Sequence, residues 1–151
     1  MKMSFDLDGT ICDSDWGWLD RLRDKYGKVW PKDEEEKYYA CREKVLDPYR
    51  FLGVWDYAII LTGRPRHLEN ITKRWLAKNG LGEFPLVFTE TLEGTPTATR
   101  EEFKALGEAK AKFFIEEEIK VHFDDNEQVV DAMRKAFPDM VVIHTGWHVA
   151  W

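Results

Sequence analysis

Apolar positions along the chain follow two rhythms. Five short, nearly continuous runs stand out: Met3 to Leu7, "YAIIL" (57–61), "PLVF" (85–88), "IKVHF" (119–123) and "MVVIH" (140–144). Each has the length of a buried strand and is rich in β-branched or aromatic residues. Between them the spacing becomes helical. In "PRHLENITKRWLAKNG" (65–80), Leu68, Ile71, Trp75 and Leu76 share one face, with Pro65 opening and Gly80 closing the segment. "ATREEFKALGEAKAKFFIEEE" (98–118) favours helix, with Gly107 as a point where it can divide. "NEQVVDAMRKAF" (126–137) begins on an Asn cap and repeats Val129, Met133 and Phe137 at i, i+4, i+8.

Strands alternating with helices predict a doubly wound, mostly parallel α/β sheet of about five strands, Rossmann-like in plan. The alternation is broken once, from residue 11 to residue 56. There "WGWLDRLRDKYG" (16–27) and "KDEEEKYYACREKVLDPYRFLG" (32–53) read as two helices with no strand between them. The reading is one domain over 1–151, carrying a small helical insert at 11–56 as a cap over the strand ends. Its aromatics Trp16, Trp18, Trp30, Tyr38 and Tyr39 either stack on a ligand ring or pack the two helices together.

Composition narrows the function classes. With 44% apolar and 33% charged residues the chain is of soluble globular type, long enough at 151 residues for a real core. A net charge of −6 without a basic block argues against an extended nucleic-acid surface, though not against binding one strand end. No apolar run approaches membrane-spanning length and no secretory leader opens the sequence. Cys12 and Cys41 lack CxxC spacing, so reduced thiols and a cytoplasmic location are expected.

Polar clusters follow the strand candidates: Asp6, Asp8 and Thr10 after the first, Thr62, Gly63 and Arg64 after the second, Asp124 and Asp125 after the fourth. In doubly wound sheets such strand ends converge on one cleft. Carboxylates gathered there repel without a cation, and an all-oxygen set suits Mg²⁺ together with a substrate phosphate. Thr62, amides near Gly63 and a lysine are placed to hold phosphate oxygens. One carboxylate could then attack phosphorus while another handles the proton. Lys110 and Lys112 both precede the fourth strand. On a helix they point about 200° apart, so only one can face the cleft. Arg64 suits a phosphate oxygen or an ion pair at a helix end. His122 lies on a strand whose alternate residues should be buried. His144, His148 and the Trp-rich "TGWHVAW" (145–151) follow the fifth strand.

The order DLDGT (6–10), LTGR (61–64), a lysine-bearing helix and FDDN (123–126) resembles the haloacid dehalogenase (HAD) superfamily of phosphohydrolases. That resemblance implies Asp6 as nucleophile, and Asp8 as general acid/base that also offers its main-chain carbonyl to Mg²⁺. Thr62 and a lysine, by its family-like spacing Lys110, would bind the phosphoryl group, and Asp124 with Asp125 would complete the metal site. More narrowly, "LTGRP", "LENITKRWL" and "KFFIEEEI…DDNEQVVDAMR" are similar to the phosphatase domains of polynucleotide kinase/3′-phosphatases and to phosphatase-like domains of RNA-repair proteins. The expected activity is therefore a Mg²⁺-dependent phosphomonoesterase acting on a nucleotide or a nucleic-acid terminal phosphate. The alternatives are a phosphoacceptor domain of receiver type, which uses a related residue kit in a different chain order, and a silent binding module. Oligomeric state is left open.

Overall fold

The computed structural model describes residues 1–89 and 99–145. Their strands are β1 (Lys2–Phe5), β2 (Tyr57–Thr62), β3 (Leu86–Phe88), β4 (Val121–Asp124) and β5 (Val141–His144), in the spatial order β3-β2-β1-β4-β5. Every pairing is parallel, with Phe5 beside Ile60 on one side and Phe123 on the other. The helices are α1 (Trp16–Tyr26), α2 (Lys32–Ala40), α3 (Glu69–Lys78), α4 (Arg100–Glu117) and α5 (Glu127–Ala136). Connections from β1 run outward through β2 to β3, and the chain then crosses back to β4. The direction of winding therefore reverses between β1 and β4, where open α/β sheets place their ligand crevice.

Alternation along the strands feeds two cores. Met3, Phe5, Ala58, Ile60 and Phe123 join Trp75, Leu76 and Leu81 on one face. Ile59, Leu61 and Val142 join Leu106, Phe114, Val129 and Met133 on the other. The predicted faces of α3 and α5 are those that are buried. Gly107 does not divide α4, which is continuous over 18 residues. It instead lets α4 lie tight on α5, since a Cβ there would stand 2.6 Å from the Val129 carbonyl oxygen and 2.8 Å from the Ala132 Cβ.

The first strand and the second insert helix both end earlier than the sequence reading places them. The first strand stops at Phe5 rather than Leu7, because the Leu7 carbonyl gathers the amides of Thr10, Ile11 and Cys12 and rolls the chain into a loop. The helix expected over 32–53 ends at Ala40. Tertiary partners outbid helix propensity beyond it: Asp13 and Glu43 bond through their backbones, Val45 and Leu46 donate to the Ile11 carbonyl, and the Asp13 carboxylate accepts from the Glu43 amide. A 3₁₀ turn, Pro48–Phe51, closes the insert.

Candidate active site

The strand ends β1 and β4 deliver the central groups. β1 hands over to Asp6, whose amide still bonds the Phe123 carbonyl at 2.9 Å, and β4 ends on Asp124. Oxygens of Asp6, Asp124 and Asp125, one from each, lie within 4.8 Å of one another. Lys110 reaches them from α4 and is fully buried, its Nζ 3.0 Å from Asp6 Oδ1 and 2.7 Å from Asp124 Oδ2. Lys112, one step on, is exposed.

A polar ladder backs this cluster on the β1 and β4 strands. Ser4 and His122 meet at 2.8 Å through Nδ1, and His122 Nε2 lies 2.8 Å from Asp124 Oδ2. Because Asp124 can only accept there, Nε2–H donates to it and the Ser4 hydroxyl donates to Nδ1. The Asn126 amide takes the other Asp124 oxygen at 3.1 Å. Burial holds the His122 imidazole down at about 4, so it is neutral. For Asp124, burial is outweighed by the Lys110 charge and the His122 hydrogen bond, which hold the carboxyl well below the usual range.

The other two carboxyls respond in the opposite direction. Burial, reinforced by Asp124, pushes Asp6 up to about 7 despite Lys110. Burial and the Asp6 charge push Asp125 up as well. Three carboxylates share one lysine, and the cluster is short of positive charge. An all-oxygen trio of this kind fits a hard divalent cation such as Mg²⁺, which would restore the ionised forms.

Asp8 points elsewhere. Both its oxygens are held by Arg64, Nε to Oδ2 at 2.8 Å and Nη2 to Oδ1 at 2.7 Å. Arg64 is only 4% exposed; its Nη1 donates to Thr72 Oγ1 at 2.8 Å and its guanidinium sits 4.3 Å above the Tyr39 ring. Thr62 is buried beneath the loop, its hydroxyl accepting from the Arg64 amide at 3.1 Å. Gly63, Arg64 and Pro65 form part of a cleft open to solvent, whose walls also include Asp6, Asp8, Lys110, Asp124 and Asp125. The Thr10 hydroxyl lies 3.4 Å from both Asp6 and Asp125. Gly9 takes a φ of +81°, and a Cβ there would run into the Asp125 carboxylate.

Of the insert aromatics, Trp18, Trp30, Tyr38 and Tyr39 pack together, with edge contacts of 5.4, 6.1 and 5.1 Å centred on Tyr38. Trp16 takes no part and lines the cleft. His144 is exposed and contacts the Asp125 carbonyl at 2.9 Å, whereas His148 and the Trp-rich end lie outside the described residues. Ser4, Thr72 and Phe103, which also lines the cleft, were not singled out by the sequence reading. Phe103 carries a signal nonetheless, since 103, 106 and 110 recur on one helical face. Ser4 and His122 are polar residues inside otherwise apolar strands.

The sequence matches no family model and no curated protein. Solved structures do resemble it. One is a chain of the Pnkp1/Rnl/Hen1 RNA repair complex, 21% identical with a TM-score of 0.56, covering 97% of this chain and 42% of that one. Another is a HAD-superfamily hydrolase, subfamily IA, variant 1, from Geobacter sulfurreducens PCA, 12% identical with a TM-score of 0.55, covering 95% and 88% respectively. This chain thus spans less than half the length of its match in the repair complex. Its five-stranded parallel sheet and flanking helices have the Rossmann-like fold of the HAD-superfamily hydrolases.

Proposed function

We propose that the protein is a Mg²⁺-dependent phosphomonoesterase working through an aspartyl-phosphate on Asp6, with a nucleotide or a nucleic-acid terminal phosphate as substrate. The observation that carries this reading is the convergence of Asp6, Asp124, Asp125 and buried Lys110 at the point where the sheet reverses its winding. In this reading Asp6, Asp124 and Asp125, with the Asp8 main-chain carbonyl, hold the cation. Bound there, Mg²⁺ supplies the positive charge that lets these carboxylates share the cleft with a phosphate.

Asp6 attacks phosphorus, so that an oxygen–phosphorus bond forms to its carboxylate as the bond to the leaving oxygen breaks. Asp8 delivers a proton to that oxygen and then takes one from the water that hydrolyses the intermediate. Lys110, with amides near Gly63 and the Thr62 hydroxyl, holds the phosphoryl oxygens. Arg64 orients Asp8 through its fork, and Asp8 stands in the wall of the same cleft as Asp6. The insert at 11–56 acts as a small cap within a single 1–151 domain.

The likeness to a chain of an RNA repair complex supports a strand end as the carrier of the phosphate. Two free cysteines, Cys12 and Cys41, accord with a reducing, cytoplasmic setting. No helix among the described residues is long and apolar enough to cross a membrane.

The test is phosphate release with Mg²⁺ from mononucleotides, phosphorylated oligonucleotides and sugar phosphates, with Asp6→Asn alongside. Turnover lost in a folded Asp6→Asn protein is the expected result. Full activity in that variant would sink the mechanism.

A further inference from the structure

The Trp16 indole is half exposed, at 48%, while every other insert aromatic named above is at least partly buried in a shared core. A tryptophan left partly in water keeps a ring face free to meet a ligand. Its position answers the same way. Trp16 opens α1 and stands in the wall of the catalytic cleft, together with Phe103 from the first turn of α4. Pro65, Leu106 and Val129 continue this apolar wall. An ion pair, Lys28 to Glu102 at 3.0 Å, ties the segment after α1 to the residue preceding Phe103.

The charges in the cleft bound the ligand further. Among the described residues of its wall the only cations are Arg64 and Lys110. Arg64 is held in the fork with Asp8, which leaves Lys110, beside Asp6 and Asp124, as the one cation for a phosphate. The wall therefore serves one phosphate at the carboxylate end and an uncharged, planar group at the aromatic end.

We propose that Trp16 and Phe103 form a stacking subsite for the base of a nucleoside monophosphate, free or at the end of a strand. The proposal rests on the phosphatase reading and names the part of the substrate that the cap recognises. Stacking uses the face of the ring, which every base possesses, so recognition tolerates base identity and demands only that a base be present.

The experiment compares kcat/KM for adenosine and uridine monophosphates, oligonucleotides with a terminal phosphate, and glycerol 2-phosphate, which has no ring. The readout is the ratio of nucleotide to glycerol ester in wild type, Trp16→Ala, Trp16→Phe and Phe103→Leu. Trp16→Ala should lower that ratio about 10-fold or more, Trp16→Phe should restore most of it, and Phe103→Leu should lower it less. The free nucleotides and the oligonucleotides distinguish the two sources of the base. Equal losses on both ester types, or an unchanged ratio, would overturn the subsite. Should wild type release phosphate from nothing, the phosphatase reading fails separately. Calorimetric binding of adenosine monophosphate to Asp6→Asn, with and without Trp16→Ala, then decides. Binding weakened by the second substitution supports the subsite, and binding that is absent or unaffected removes it.

Discussion

Arg64 and Asp8 offer a quantitative check on the site. Two charge-assisted hydrogen bonds of 2.7 and 2.8 Å join them, and Arg64 adds a third to Thr72. Such bonds contribute about 1.5–3 kcal/mol each where water is excluded. The Asp8 side chain is 21% exposed, however, so water reaches it once Arg64 is gone and the loss is smaller than for a sealed pair. Arg64→Gln and Asp8→Asn should each destabilise by about 3 kcal/mol, the first stranding a carboxylate and the second a buried guanidinium. The double variant should lose only about 4 kcal/mol, because neither charge is then left alone, giving a coupling of about 2 kcal/mol. Urea unfolding followed by far-UV circular dichroism measures this directly. With a slope of about 2 kcal/mol per molar, the single variants should shift the midpoint by about 1.5 M and the double by about 2 M. Additive losses, within about 0.5 kcal/mol, would refute the clamp.

Two further outcomes follow from the same geometry. Gly9→Ala should cost about 1–2 kcal/mol from its positive φ, and should weaken Mg²⁺ binding about 10-fold by displacing the Asp125 carboxylate, as read by calorimetric titration. His122→Phe should cost about 2–3 kcal/mol, since Ser4 and Asp124 each lose a buried partner; adding Ser4→Ala should recover part of that loss in thermal unfolding.

The fold was legible because each apolar run ends on a polar cluster, so strand identity and site position were written by the same residues. Helical geometry allows only one of Lys110 and Lys112 to face the cleft, the preference for Lys110 rests on its family-like spacing, and in the fold Lys110 is the one buried between two carboxylates. Arg64 could not be resolved in advance, because a guanidinium suits a phosphate and a carboxylate equally. Only the fold brings Asp8, 56 positions away, against it. The second insert helix was overextended for a related reason. Residues 41–47 carry good helix formers, but their backbone is claimed by Ile11 and Asp13, partners that local propensity does not register. Which tryptophan faces the cleft was likewise hidden, since Trp16 and Trp18 differ only in which side of one turn they occupy.

The central placement of β1 has a consequence for how the molecule is made. One edge of this strand is served by β2, the other by β4, and the Ser4–His122 contact spans 118 residues. At the ribosome's pace of about 5–20 residues per second, the β4 edge of β1 waits roughly 6–24 s for its partner. Within that interval β2 is made and can zip onto one side, while the Met3-Ser4-Phe5 backbone stands open on the other, a template for another nascent chain. The acidic cluster cannot assemble until the same moment, because Asp124 arrives with β4. A half-made chain therefore cannot gather these carboxylates, and β4, which completes the cluster, also closes this exposed edge.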